Sequence, residues 1–294
     1  MANLKGGTFD KQIRDANFRL EARGTARHHN GDHKTHSNET SKKRDMYLKD
    51  FKNYLLKNGI SEGKLNTHLG TSETMKDFLV QRINENDLSR KTAVDYVSGF
   101  SGMMKGLEES NVTINPAGRE ALEEARVIIK EIPKEDFRSG RAFENPQSVI
   151  DKIYDIRFEA GVLAQIQYET GFRISEAYEL VQNPDRYING NKVEGIVGKG
   201  NHQYYTKEIS KDLAIKIGAT DKNNIPTDKS YSSFIKEAAG NEKAIPHDFR
   251  LSYVKEQYEK KIDAGMAKKE ALREVSREVN HYRAEITRYY LARA

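Results

Sequence analysis

Apolar residues recur through the first half of the chain at three- and four-residue spacing, the period of a helix that buries one face. Tyr47, Leu48, Phe51, Tyr54 and Leu55 set the first such stretch, which begins near Ser41 and stops at Asn58-Gly59. Thr71-Ser72-Glu73 opens a second, carrying Met75, Phe78, Leu79 and Ile83. Ser89 caps a third, whose apolar face reads Val94, Val97, Phe100, Met104 and Leu107 before the break at Asn115-Pro116. A fourth runs over 118–130 around Leu122, Val127 and Ile128. Four helices within residues 45–131 predict a small all-α domain, with its aromatic and methionine residues in the core.

The pattern fails over IPKEDFRSGRAFENP, where two prolines and a glycine interrupt it, so residues 132–145 read as a linker. It carries Lys134, Arg138 and Arg141, which suit either a basic clamp around a duplex or a plain charged connector. A second domain, 146–294, opens with one or two helices marked by Val149, Ile150, Ile153, Ile156, Val162, Leu163 and Ile166. Thr170-Gly171 makes a turn, and Arg173 opens the next helix, with Ile174, Ala177 and Leu180 inward. Residues 192–198 (KVEGIVG) and 203–209 (QYYTKEI) are β-rich and flank Gly198-Lys199-Gly200-Asn201, a hairpin signal. Helices follow over 228–239, 247–263 and 267–279, with a last short one through Tyr290. The expected fold is mainly α with a small β-hairpin, in two domains and without internal repeat.

Residues 1–44 change the picture. They hold ten Lys/Arg against five Asp/Glu, whereas the rest of the chain balances, so the whole net charge of +5 lies in this segment. Residues 24–41, GTARHHNGDHKTHSNETS, are polar and rich in turn formers. The segment therefore reads as a basic flexible arm, either a handle on nucleic acid or a solvated tail. Its histidines His28, His29, His33 and His36 have no helical register and no carboxylate frame, which favours solvated side chains over a metal site. With 36% apolar and 32% charged residues, no stretch approaches a membrane span, and the first residues lack a secretory signal. The absence of cysteine excludes disulfides, thiolate catalysis and cysteine-ligated zinc, and fits a cytoplasmic, nucleoid-associated setting.

The candidate chemistry lies in four segments of the C-terminal half: TGFRISEA, GKGN, HDFR and NHYRAEITRYY. They supply Arg173, Lys199, His247 with Arg250, His281 and Tyr290. Guanidiniums fork onto phosphate oxygens, and a phenol can serve as a covalent nucleophile. The set points to phosphoryl transfer through a phosphotyrosine link. Each motif alone has a plain reading: an arginine at a helix start is surface charge, a hairpin lysine is solvated, and a tyrosine near a chain end is packing.

Together, in this order, the motifs resemble the tyrosine recombinases, or phage integrases, over about residues 45–290. YETGFRISEAYEL is similar to the family's first-arginine segment and EGIVGKGNHQYYTKEI to its lysine hairpin. PHDFRLSY is similar to its His-x-x-Arg box, and VSREVNHYRAEITRYYL to the histidine followed nine residues on by tyrosine. The resemblance implies a helical core-binding, SAM-like domain followed by a mostly helical catalytic domain with a small sheet. It assigns catalysis to Arg173, Lys199, His247, Arg250, His281 and Tyr290. In that scheme the arginines hold the phosphate charge, His247 assists the phenol's proton, Lys199 protonates the leaving 5′ oxygen, and His281 bonds the phosphate. No divalent metal or other cofactor is required. The implied partner is double-stranded DNA with specific recombination sites, cut by a protein monomeric when free and tetrameric on two sites, with accessory DNA-bending proteins as further partners. The activity would be integration or excision of a mobile element.

The chain departs from the pattern at three points. Asn280 stands where glycine is usual, and asparagine tolerates the left-handed backbone. His202 stands where a second hairpin base is common, leaving Lys207 as a weak substitute for Lys199. The stretch KIDAGMAKKEAL lengthens the interval from Arg250 to His281 and resembles integrases of prophages and mobile islands. Tyr289 is the rival nucleophile, but helix neighbours point about 100° apart, and the nine-residue step favours Tyr290. The alternatives are a type IB topoisomerase, which relaxes DNA by similar chemistry, and a non-catalytic DNA-binding relative.

Overall fold

A computed structural model describes residues 7–23, 33–60, 72–85, 89–114, 117–132, 141–199, 202–281 and 284–294. It is mainly helical with a small antiparallel sheet and divides into two units, Met1–Asp136 and Phe137–Ala294. Among the described residues no helix is long and apolar enough to cross a membrane.

The first unit contains α1 (Phe9–Leu20), α2 (Asn38–Lys57), α3 (Ser72–Glu85), α4 (Arg90–Glu109) and α5 (Ala117–Glu131). Its core is built around Phe51, Phe78 and Phe100, whose rings meet edge to face at 5.2–6.0 Å. That geometry sets the positive edge of one ring against the negative face of another. Ser37 and Ser89 cap α2 and α4 by accepting from the amides of Thr40 and Thr92. Two residues expected in the core face water: Val94 on α4 and Val127 on α5 are exposed, and Ala93, Ala121, Ala125 and Ile129 take the buried positions.

The basic arm expected over residues 1–44 is, in part, a folded element. Thr8 caps α1, and Phe9, Ile13, Ala16 and Leu20 bury in the same core as α2 and α4. Ser110 at the end of α4 accepts from Arg19 and donates back to its carbonyl, and buried Arg44 ties down Thr35 and the His33 carbonyl. The spacing of Phe9, Ile13, Ala16 and Leu20 is helical, but it is masked by interleaved charges and by the polar tract that follows. His33 and His36 are described; His28 and His29 lie outside the described residues, as do Lys134 and Arg138 of the linker.

The second unit runs α6 (Pro146–Ile156), α7 (Phe158–Thr170), α8 (Ile174–Gln182), α9 (Pro184–Tyr187), β1 (Ile188–Asn189), β2 (Lys192–Val193), β3 (Val197–Gly198), β4 (His202–Gln203) and β5 (Lys207–Glu208). It continues with α10 (Lys211–Gly218), a 3-10 turn at Lys222–Asn224, α11 (Asp228–Ala239), α12 (His247–Asp263), α13 (Lys268–Glu278) and α14 (Ala284–Leu291). The β-rich runs form one broken hairpin. Its base pairs Lys192 with Glu208 and Val193 with Lys207 beside β1, and its outer part pairs Val197 with Gln203 and Gly198 with His202. Helix α7 is buried nearly all round from Ala160 to Gln167, which fits the lack of a polar face there, and Gln165 and Gln167 are buried with its apolar residues. A second apolar cluster joins Leu251, Tyr253, Val254, Val275, Val279 and Tyr290 of α12–α14. Ala142 packs into it, the Phe143 ring meets the Phe249 ring at a tilt with centroids 4.7 Å apart, and the Arg141 amide bonds the Arg293 carbonyl. Residues 141–145, expected as linker, are therefore part of this unit, because Ala142 and Phe143 have apolar partners there.

Candidate active site

Two tight reversals and two helix starts aim the polar groups inward. Helix α7 ends at Gly171, whose φ of +70° permits the reversal, and a Cβ there would meet the Tyr253 ring at 2.5 Å. The chain then enters α8 with Arg173 as its N-cap residue. Glu176, one turn on, accepts from the Arg173 amide at 2.7 Å and from its Nη1 at 2.9 Å, so the arginine is fixed at both ends. His247 and Arg250 share a face of the first turn of α12. Asn280 takes φ +56°, ends the segment after α13, and turns His281 back toward α14. There Tyr290 faces inward, 7% exposed, while Tyr289 is 37% exposed beneath the Arg293 guanidinium.

Three of the other candidates, His247, Arg250 and His281, meet on the Tyr290 ring, and Arg173 joins them through His281. His281 Nε2 lies 3.1 Å from the Tyr290 hydroxyl and 3.3 Å from Arg173 Nη2. The His247 and His281 rings each stand edge-on to Tyr290 with centroids 5.2 Å away. The Arg250 guanidinium lies 5.9 Å from the ring centre. The hydrogen bond to the phenol, expected from His247, is thus made by His281. Lys199 is exposed and makes no hydrogen bond or ion pair among the described residues. Its neighbour Gly198 is held close: a Cβ there would come within 2.7–2.9 Å of the Tyr204 ring, Asn280 Nδ2 and Glu176 Oε1. Asn280 also donates to the His202 carbonyl at 2.7 Å, so the outer hairpin is tied to the turn that carries His281.

Arg250 is fully buried. Its terminal nitrogens donate to the Gly171 and Val279 carbonyls and, at 3.2 Å, to the Tyr204 hydroxyl, while its Nε has no partner. Tyr204 is the bridge the sequence did not disclose. Its oxygen accepts from Arg173 Nη1 at 3.1 Å as well as from Arg250, and donates to Glu176 at 2.6 Å. Burial pushes its pKa up to about 12, which keeps it a neutral donor. For Glu176 a signal existed in the Arg-x-x-Glu spacing at a helix start; for Tyr204 only the hairpin register fixes its direction. Lys207 is buried against the Tyr253 hydroxyl at 2.9 Å, and burial lowers its pKa to about 8.

Burial first, then the charges of Arg250, Arg141, Arg173 and Arg293, lower His247 to about 3. At neutral pH it is uncharged, in surroundings that attract an anion. Arg141 is itself anchored by an ion pair with the buried carboxylate of Asp248.

No protein-family model matches the chain, and a sequence comparison with curated proteins gives no match either. Among solved structures the chain is similar to XerA recombinase, at 11% sequence identity over 87% of this chain and 88% of that one, with a TM-score of 0.39. The likeness is a distant one of overall fold.

Proposed function

We propose that the chain is a site-specific DNA recombinase that cleaves and rejoins strands through a 3′-phosphotyrosyl intermediate on Tyr290. The observation that carries this reading is one buried phenol met by two imidazoles and the Arg250 guanidinium, with Arg173 bonded to one of those imidazoles, the four groups coming from three separate segments. Attack of the Tyr290 oxygen on the scissile phosphorus forms the O–P bond and breaks the bond to the 5′ oxygen. Negative charge grows on the non-bridging oxygens, and fixed cations in a dry site stabilise it without reorganising. Arg173 would supply direct donors. Arg250 would supply a buried charge and its unpartnered Nε. Lys199, on the hairpin tip, would deliver a proton to the 5′ oxygen. Because the ester keeps the energy of the broken bond, a DNA hydroxyl can reseal it without ATP, as integration or excision of a mobile element needs. We assign double-stranded DNA as the partner, with a tetramer on two sites as the working form.

A nicked suicide duplex that traps the covalent adduct tests the proposal. Tyr290→Phe should abolish the adduct, and Tyr289→Phe should keep it. An adduct that survives Tyr290→Phe would remove Tyr290 from the reaction. Relaxation of plasmids that lack any target site would replace the recombinase reading with a topoisomerase one.

A further inference from the structure

We propose that His281, through Nε2, is the group that takes the proton of Tyr290 as its oxygen attacks phosphorus. The assignment rests on the phosphotyrosyl reading above and gives His281 a role beyond bonding the phosphate. Three observations converge on it. First, His281 Nε2 is at hydrogen-bond distance from the phenol oxygen, 3.1 Å, whereas His247 offers that ring only an edge. Second, Arg173 Nη2 lies 3.3 Å from the same nitrogen. A guanidinium has no lone pair to offer, so the contact holds only if Nε2 presents its own. The neutral ring then carries its hydrogen on Nδ1, and the phenol is the donor in the Tyr290–His281 bond. Third, burial and the charges of four arginines disfavour a proton on His247, which works against its taking the phenol's proton.

Several described groups converge on His281. Arg173 reaches it from the start of α8, with Glu176 and Tyr204 behind that arginine. Tyr290 reaches it from α14, and His247 and Arg250 of α12 lie against the same phenol ring. The Ser276 hydroxyl donates to the His281 carbonyl and holds the backbone of the turn. In the step itself Arg173 Nη2 leaves Nε2 for a non-bridging phosphate oxygen, the phenol proton passes to the freed Nε2 lone pair, the Tyr290 oxygen bonds phosphorus, and the 5′ oxygen leaves with a proton from Lys199. His281 ends as imidazolium and Lys199 as amine, and religation runs both transfers backward.

The test separates activation of the nucleophile from protonation of the leaving group. A suicide duplex with sulfur in the 5′-bridging position releases a thiolate that needs no proton, so single-turnover adduct formation reports attack alone. In the wild-type protein the rate should rise with pH through one ionisation and level off. His281→Ala and His281→Gln should be slower by about 10²–10³-fold, the usual worth of a positioned base. Their rates should climb with pH without levelling, and added imidazole should restore part of the loss in His281→Ala. His247→Ala should slow the reaction yet keep the wild-type pH shape. ¹⁵N spectra of the histidine-labelled wild-type protein need no variant: they should show His281 with a bare Nε2 in its neutral form. A protonated Nε2, or a wild-type pH profile in either His281 variant, overturns the assignment while leaving the phosphotyrosyl reading intact. No adduct from the wild-type protein, or one that survives Tyr290→Phe, removes both.

Discussion

His247 sits among cations that work against its own charge, and this has a measurable cost in acid. Its folded value of about 3 lies below the ordinary 6.5, so the unfolded chain takes up a proton that the folded chain refuses. Stability attributable to this residue is complete above pH 6.5 and declines as pH falls from there toward 3. Urea unfolding of the second unit should therefore weaken between pH 7 and pH 5, where most carboxylates remain ionised. His247→Gln should flatten that slope; an unchanged slope would mean the imidazole is protonated in the fold. Arg173 makes the complementary point. Its type and place at a helix start were legible in the sequence, but the neighbour that orients it across 31 positions, Tyr204, was not. Local spacing announces partners one turn away, as with Glu176, and is silent about partners that only a hairpin's register brings in.

In the proposed reaction the outer hairpin carries the leaving-group acid, and Gly198 is its point of contact with the site. An added methyl would press on the Tyr204 ring, the Asn280 amide and the Glu176 carboxylate together. Gly198→Ala should cost roughly 1–3 kcal/mol of stability through overpacking. It should slow cleavage further by shifting Tyr204 between the two arginines. Thermal melting alongside single-turnover cleavage measures both. If Gly198→Ala melts and cleaves like the wild-type protein, the hairpin does not dock as described. The sequence announced this element well: alternating β-formers around Gly-Lys-Gly-Asn give a hairpin by local rules alone. It announced α1 poorly, because the apolar spacing of Phe9, Ile13, Ala16 and Leu20 is interrupted by charges and gains meaning only against α2 and α4. Val94 and Val127 erred the other way: an apolar side chain at roughly the right period can still fall on the wet edge of a helix face.

At the scale of the whole molecule, each unit encloses apolar clusters of its own. Residues 141–294 should therefore fold as a separate fragment with one cooperative transition, because Arg141 to Phe143 are anchored to α12 and to the chain's last residues. A fragment beginning at residue 146, which lacks Ala142 and Phe143, should be less stable by about 2–4 kcal/mol, the usual cost of emptying buried apolar positions. Equal urea midpoints for the two fragments would return residues 141–145 to the linker. The two-part plan was legible because prolines and charges interrupt a strong helical period. Its border was not, because two apolar residues inside a polar stretch carry no signal until their partners are known.

Tyr290 keeps its hydroxyl against an imidazole and little surface in water, and the fully buried Arg250 guanidinium lies 5.9 Å from its ring centre. Among the described residues the phenol shows little surface, with two imidazole rings edge-on to it. If Tyr290 is the nucleophile proposed above, its reactivity is conditional, because the covered hydroxyl has to be opened before a phosphate can meet it. On that proposal the choice of where to cut would be separated from the capacity to cut.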